Sequence, residues 1–134
     1  MRGLRRNRVP ERPRRLAVLL GAGRIAFGAA MLVAPGPFLV AARTPRDQIS
    51  GSAKLLTRTT GIRDVLLGVH LLRQLDDREA LRTAALLNAA ADAGDCVSLA
   101  ASTRWPGFFV AGASGVPVAA SASASFYLLA RSLD

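Results

Sequence analysis

The sequence contains a stretch of twenty-five residues, Pro106 to Ala130, in which no side chain carries a charge. Arg104 and Arg131 flank this stretch. An α-helix rises ~1.5 Å per residue, so about twenty apolar residues cross the ~30 Å hydrocarbon core of a bilayer. A surface helix of a soluble bundle would need a polar face, which this stretch lacks. The stretch therefore predicts a membrane-spanning helix.

Three further apolar blocks precede this stretch, and short polar links separate them. We expect membrane spans at about 16–34, 53–75, 80–102 and 106–130. Pro35 and Pro37 should end or kink the first helix, because proline lacks an amide donor and restricts the residue before it. Links this short make neighbouring helices antiparallel. The predicted fold is all-α, a four-transmembrane-helix up-down-up-down bundle over residues 16–134, preceded by a basic arm over residues 1–15.

The basic arm carries seven arginines and one acid, and it supplies most of the formal net charge of +9. An arm like this beside a span can hold its end in the cytoplasm, contact anionic lipid headgroups or bind nucleic acid. Eleven Lys and Arg residues lie near the span ends on the side of the arm, against four on the other side. We therefore expect cytoplasmic N- and C-termini, some contact of the arm with anionic headgroups, and no nucleic-acid partner.

The cellular location follows from the spans and the codon usage that the composition implies. Seventeen arginines against one lysine, with abundant alanine and glycine, are typical of a high-GC bacterial genome. The predicted location is the bacterial plasma membrane, with several passes. Two alternatives stay open: the first block resembles a secretory signal peptide cleaved after 40–42, and the second and third blocks could form amphipathic helices of a soluble bundle. The length of the first block and its Arg24 favour an uncleaved span.

Seven polar residues lie well inside the predicted spans, where charged groups are costly and normally face one another or a cavity. They are Arg24, Arg58, Arg63, Asp64, Asn88, Asp92 and Asp95. The spacing of the last three puts them on one face of the third helix. We predict a buried network with Arg24 and Arg63 around Asp92, joined by Asp64. Arg58 and Asp95 share an outer depth, so we predict that they pair.

Two roles are open for this network. The ion pairs can fix the order and register of the helices, which is the better supported use of buried pairs. Alternatively, they can line a polar pocket for an anionic headgroup, a small anion or a proton relay. The sequence does not decide between a structural and a functional network.

The charged motifs resemble those of a family of small four-helix bacterial (actinobacterial-type) integral membrane proteins of unknown function. The resemblance rests on three segments: Thr57-Arg58-Thr59-Thr60-Gly61-Ile62-Arg63-Asp64-Val65-Leu66-Leu67-Gly68, Gly23-Arg24-Ile25-Ala26-Phe27-Gly28, and Asn88-Ala89-Ala90-Ala91-Asp92-Ala93-Gly94-Asp95. It implies a four-helix membrane fold over roughly 16–130 and singles out the same charged residues. It implies no activity.

Motifs for catalysis are lacking in the sequence. There is no phosphate-binding loop, zinc spacing or nucleophile elbow, and a single cysteine cannot form an internal disulfide. We expect no cofactor and no metal site, and an enzyme is the least favoured class. The predicted function is a non-enzymatic membrane subunit or partner-binding protein, in a larger membrane complex or a homo-oligomer. The alternative is an oligomeric transporter or channel protomer for a small anion or an anionic lipid.

Overall fold

The computed structural model describes residues 8–102, 104 and 109–134, and of residues 109–114 only the backbone. This part of the chain is all-helical, which confirms the predicted class. Its helices are α1 (Glu11–Val33), α2 (Pro35–Ala41), α3 (Gly51–Leu72), α4 (Arg78–Ser102) and α5 (Phe109–Arg131), with a short 3₁₀ helix at Arg46–Gln48. The four segments predicted as spans are helical in the described residues, as α1, α3, α4 and α5, and the four-transmembrane topology itself stays a prediction. Residues 106–108 of the fourth predicted span and 1–7 of the arm lie outside the described residues.

The ends of the helices follow from local chemistry. Pro35 ends α1 and occupies the first position of α2, so the predicted break produces a separate fifth helix. Ser50 caps α3, because its hydroxyl accepts the backbone N–H of Ala53 at 3.1 Å. Asp77 accepts the backbone N–H of Ala80 at 2.9 Å and caps α4 in the same way. These helix ends determine how far α1, α3 and α4 extend beyond their charged residues.

The long helices form two closely packed antiparallel pairs, α1 with α3 and α4 with α5, and the contacts between the two pairs are sparser. In the first pair, Gly21 lies against Gly68 and Gly28 lies against Gly61. Glycines seven residues apart on each helix let the two backbones approach closely. In the second pair, the Ser123 hydroxyl donates to the carbonyl of Ala89 at 2.9 Å. Sequence neighbours among the long helices therefore run in opposite directions.

The apolar core lies at one end of the bundle, where α1 and α4 begin and α3 and α5 end. We call this the arm end, and the opposite end the far end. The core joins residues from all four long helices, among them Ala17, Leu71, Leu81 and Leu129, which are completely buried. Toward the far end this apolar layer gives way to a buried charged layer. The core thus forms a base beneath the charged residues.

Beyond the apolar core, the distribution of polarity on α3 is reversed relative to a helix of a protein in water. The buried face of α3 consists of small and polar residues together with one leucine: Thr57, Gly61, Asp64, Gly68 and Leu71. Its exposed positions include five large apolar residues: Leu55, Leu56, Ile62, Leu66 and Val69. Exposed leucines and valines also occur on α1, α4 and α5. In water, such a distribution leaves apolar surface hydrated and places charges inside.

Among the helices whose side chains the structure describes along their whole length, α1 is the one that is long and apolar enough to cross a membrane, with a mean hydropathy of 2.0. Only 28% of that stretch is buried, less than is usual for the core helix of a soluble protein. A signal sequence near an N-terminus has a comparable composition. The helices α3 and α4 carry the charged residues that lower their mean hydropathy.

Candidate functional site: a buried network of arginine and aspartate

Arg24 is the centre of the charged layer. It lies between Gly21 and Gly28 on the face of α1 that meets α3, and only 8% of the residue is exposed. Its Nη1 and Nη2 donate to the two carboxylate oxygens of Asp92 on α4, at 2.9 and 2.7 Å. Its Nη2 also donates to Oδ1 of Asp64 on α3, at 3.0 Å. Arg24 therefore joins the two helix pairs through charge-assisted hydrogen bonds.

Arg63 forms a second pair beside the first. Its two terminal nitrogens bind both carboxylate oxygens of Asp95 on α4, with Nη1 to Oδ1 at 2.7 Å. Its Nη2 also donates to Oδ1 of Asp64 at 3.2 Å. The side chains of Arg63 and Asp95 are 37% and 34% exposed, so this pair lies at the edge of the bundle between α3 and α4.

Asp64 connects the two pairs. One of its oxygens, Oδ1, accepts a hydrogen bond from each arginine, while Asp92 and Asp95 use both of their oxygens for a single arginine. Asp64 and Asp92 are 6% and 5% exposed. The connected network holds two guanidinium groups and three carboxylates, which leaves one surplus negative charge when every group is ionised.

The predicted partners of Arg58 and Arg63 are wrong. Arg58 does not pair with Asp95; its Nε donates to the backbone carbonyl of Leu32 at 3.3 Å, and Arg63 takes Asp95 in its place. Arg63 and Arg58 are five residues apart, so they lie about 140° apart around the helix axis. Arg58 and Asp95 lie at a similar depth, which suggested that they pair. The position of Arg58 around the axis of α3, however, directs its side chain toward the end of α1.

Asn88 is fully buried one turn before Asp92, as its spacing predicts, but no hydrogen bond of the described residues joins it to the network. Its Nδ2 donates to the carbonyl of Ala84 at 2.9 Å, and its Oδ1 is buried without a partner. The Nε atoms of Arg24 and Arg63 are likewise buried and have no partner among the residues that the structure describes. The structure thus connects five of the seven predicted residues and leaves Arg58 and Asn88 aside.

Phe126 on α5 is a member of the site that sequence reasoning missed. Its ring centroid lies 5.3 Å from Cζ of Arg24, close enough for a cation–π interaction, and the residue is 3% exposed. Arg24, on α1, thereby contacts the other three long helices. A phenylalanine within an apolar helix gives no sequence signal for this role, because packing against other apolar residues produces the same pattern.

The chemistry available to this network is electrostatic. Each arginine of the network donates to carboxylates, and each carboxylate accepts hydrogen bonds from arginine.

Two surface pockets lie at the arm end, one lined by residues that include His70 and Thr83 and one by residues that include Arg14 and Leu19. Neither pocket includes a residue of the network.

No protein-family model, curated protein or solved structure matches this chain.

Proposed function

We propose that this chain is a small multi-pass integral membrane protein of the bacterial plasma membrane, with both termini in the cytoplasm. The combination of a buried charged layer and exposed leucine, isoleucine and valine side chains carries this proposal. Lipid stabilises a bundle with leucine and valine outside and charged pairs inside, whereas water opposes both features. The buried position of Asp64 and Asp92 argues against soluble amphipathic helices, whose charges would face the solvent.

The exposed charges fit this orientation. At the arm end, exposed arginines include Arg12, Arg14 and Arg15, and at the far end Arg43, Arg46 and Lys54 are exposed. Between the two ends, α1 presents apolar side chains apart from the buried Arg24. The larger basic count belongs to the arm end, which the positive-inside tendency puts in the cytoplasm. The resemblance to small four-helix membrane proteins points to the same arrangement.

Single cysteines test this topology. In a Cys96→Ala background, Asp47→Cys reports on the far end and Asp76→Cys on the arm end. On intact cells, we expect a membrane-impermeant maleimide to label Asp47→Cys and to reach Asp76→Cys only after permeabilisation. Equal labelling of both positions, or release of the chain from membranes by alkaline carbonate, would contradict the proposal.

Within the membrane, the function that the geometry supports best is that of a non-enzymatic, partner-binding subunit. The Arg63–Asp95 pair is one-third exposed and lies at the level of the buried network, among exposed apolar residues that include Ile62 and Leu66. An ion pair facing hydrocarbon is costly, and a protein partner on this face would cover it. The α3/α4 edge, defined by Arg63, Asp95 and the exposed residues beside them, is therefore the proposed binding face.

A second copy of this chain is the partner that the charges favour. The edge carries one positive and one negative group side by side, so a two-fold axis can bring Arg63 of one copy toward Asp95 of the other. Copies inserted with the same topology can be related by a two-fold axis normal to the membrane. Such an axis places each residue at the same depth in both copies. On α4, Gly94 next to Asp95 is exposed and offers little steric hindrance to a neighbouring helix.

Disulfide cross-linking in native membranes tests this edge. A Cβ at Gly94 would meet nothing within 4 Å, so Gly94→Cys in the Cys96→Ala background leaves the fold intact. We expect it to form a disulfide-linked dimer on mild oxidation, since bridging requires Cα atoms within about 7 Å. Ala89 and Cys96 contact Ser123 and Val116, and this register puts Val118 of α5 at the level of Gly94.

Val118→Cys is therefore the depth-matched control, because Val118 is 56% exposed on another helix. A dimer from Gly94→Cys without one from Val118→Cys supports the edge as a self-association face. Equal cross-linking of both variants would indicate random collision. A Gly94→Cys adduct with a different protein would identify another subunit, and not a second copy, as the partner.

The alternative, a transporter for a small anion or an anionic lipid, receives less support from the site. Arg24 and Arg63 already bind carboxylates, and the network holds more acids than bases. An anion would have to displace Asp92 or Asp95 from a bidentate pair. The geometry thus favours a network that assembles the helices over one that binds anions.

A further inference from the structure

Arg58 is a charged residue of α3 that the buried network leaves out. Its Nε donates to the backbone carbonyl of Leu32, in the last turn of α1, at 3.3 Å. Its two terminal nitrogens donate to no residue that the structure describes, and the residue is exposed. A guanidinium carries five N–H donors in a planar fork, so one hydrogen bond uses a small part of this capacity. The described residues thus hold Arg58 in position and supply no counter-charge for it.

Lys54 lies one turn before Arg58 on the same face of α3 and reaches the same place. A Cβ at Gly36, the second residue of α2, would lie 3.7 Å from Cε of Lys54. Gly36 follows Leu32 by four residues, so both cations meet the junction of α1 and α2. Of the described residues at the far end, Asp47 is the only acid, and it forms no salt bridge with another of them. The junction therefore carries two positive charges that no described carboxylate compensates.

The depth of the two cations matches the level of lipid phosphates in the proposed membrane placement. With Asp64 near the middle, helix rise puts Arg58 about 9 Å and Lys54 about 15 Å toward the far end. Leu32, which accepts the hydrogen bond of Arg58, lies about 12 Å from Arg24 in the same direction. Half of the ~30 Å hydrocarbon core is about 15 Å, so long basic side chains at these positions reach its boundary.

An apolar face continues from Arg58 toward the middle of the membrane. Val65 and Val69 follow Arg58 by seven and eleven residues, which places them on the same face of α3. Val69 is 39% exposed, and Val65 is half-buried beside Gly28 in the seam with α1. The α3/α4 edge lies on the other flank of α3, about 140° around the helix axis. This apolar face is therefore separate from the proposed self-association face.

We propose that Lys54 and Arg58 bind the phosphate of an anionic phospholipid, whose acyl chains lie along the apolar face below them. The terminal nitrogens of Arg58 suit a phosphate, because a guanidinium can donate to two of its oxygens at once. Lys54 adds a second positive charge, which favours phosphatidylglycerol over the zwitterionic phosphatidylethanolamine. This inference rests on the proposed membrane placement, and the lipid belongs to the leaflet at the far end.

Native mass spectrometry of the full chain in mild detergent tests the site, with phosphatidylglycerol and phosphatidylethanolamine of identical acyl chains as added lipids. We expect the wild type to prefer phosphatidylglycerol. Arg58→Gln should bind this lipid about tenfold more weakly, because it loses charge-assisted hydrogen bonds to the phosphate. Lys54→Gln should lose the preference between the two lipids.

Arg46→Gln is the matched control, because Arg46 is an exposed arginine of the 3₁₀ helix at the same end. Its replacement removes the same charge and should change neither the affinity nor the preference. An equal loss in Arg46→Gln would mean a general attraction of the far end for anions and would overturn the site. If Arg58→Gln fails to fold, Lys54→Gln decides, since an unchanged preference in that variant contradicts the proposal.

Two further measurements separate the ways in which the proposal can fail. Displacement of phosphatidylglycerol by inorganic phosphate would assign the two cations to a soluble anion and overturn the lipid. Reconstitution into liposomes of phosphatidylethanolamine and phosphatidylglycerol tests the placement. A chain that alkaline carbonate releases from these liposomes contradicts the membrane placement, whereas an inserted chain that binds both lipids equally contradicts the lipid site alone.

Discussion

Gly28 and Gly61 face each other across the seam between α1 and α3, and a Cβ on either one would lie 2.6 Å from the carbonyl oxygen of the other. The two backbones are thus in contact without intervening side chains. Gly21 and Gly68 repeat this arrangement one heptad away, and Arg24 and Asp64 lie between the two glycine contacts. The close approach of the helices is what brings the guanidinium of Arg24 to within 3.0 Å of Asp64 on the neighbouring helix.

Replacing Gly28 by alanine should separate α1 from α3. The added methyl would overlap backbone atoms of Gly61 and Val65, which cannot rotate away, so we expect a loss of about 1–3 kcal/mol in the free energy of unfolding. Gly23→Ala on the same helix is the control, because its Cβ would meet nothing within 4 Å and alanine favours helix. Unfolding in detergent measures both variants. Equal stability of the two would contradict the glycine seam.

Much of this arrangement can be predicted from the sequence. The four long helices follow from the apolar blocks, and the glycine spacing on α1 and α3 indicates where helices approach closely. Helix rise also places Arg24, Asp64 and Asp92 at one depth, and the structure brings their side chains together.

The partners within the network could not be predicted in the same way. They depend on the rotation of each helix about its axis. The periodicity of apolar residues does not define this rotation when small residues occur on all sides of a helix. Depth assigned Asp95 to Arg58, whereas the structure pairs Asp95 with Arg63, whose long side chain spans the difference in depth. The aromatic contact of Phe126 with Arg24 likewise depends on how α5 is rotated.

Arg24 and Arg58 should differ sharply in their importance. Arg24→Gln removes a buried cation from two carboxylates and leaves those charges uncompensated, which costs about 3–5 kcal/mol. Arg58→Gln removes an exposed side chain bonded to one backbone carbonyl, and we expect a change of about 1 kcal/mol or less. The membrane yield and the midpoint of thermal unfolding report the difference. An Arg58→Gln variant as unstable as Arg24→Gln would mean that Arg58 belongs to the network.

Phe126→Leu tests the cation–π contact while it keeps an apolar residue in place. The ring of Phe126 lies against a desolvated guanidinium, so its loss should cost up to about 2 kcal/mol in addition to the change in packing. Phe27 is the matched control, since the residue is 43% exposed and its ring contacts the ring of Phe38 edge-on, with the centroids 5.1 Å apart. We expect Phe126→Leu to lower the unfolding midpoint more than Phe27→Leu. A larger decrease for Phe27→Leu would mean that the ring of Phe126 does not stabilise the site.

The pairing of Arg63 with Asp95 can be tested by exchanging the charges. Arg63→Asp and Asp95→Arg should each destabilise the bundle, because each single change places like charges side by side between α3 and α4. The double variant restores an opposite pair at the same position and should recover part of the loss. Since both side chains are more than one-third exposed, we expect a coupling of only about 1 kcal/mol from the complete double-mutant cycle.

The matched exchange at the pair predicted from depth alone distinguishes the two arrangements. Arg58→Asp combined with Asp95→Arg should give no recovery, because Arg58 turns toward the carbonyl of Leu32 and cannot supply the opposite charge. Recovery in this second cycle, without recovery in the first, would mean that α3 is rotated relative to α4 from the arrangement described. Recovery confined to the Arg63 cycle fixes the rotation of α3 and, with it, the position of Asp64 between the two arginines.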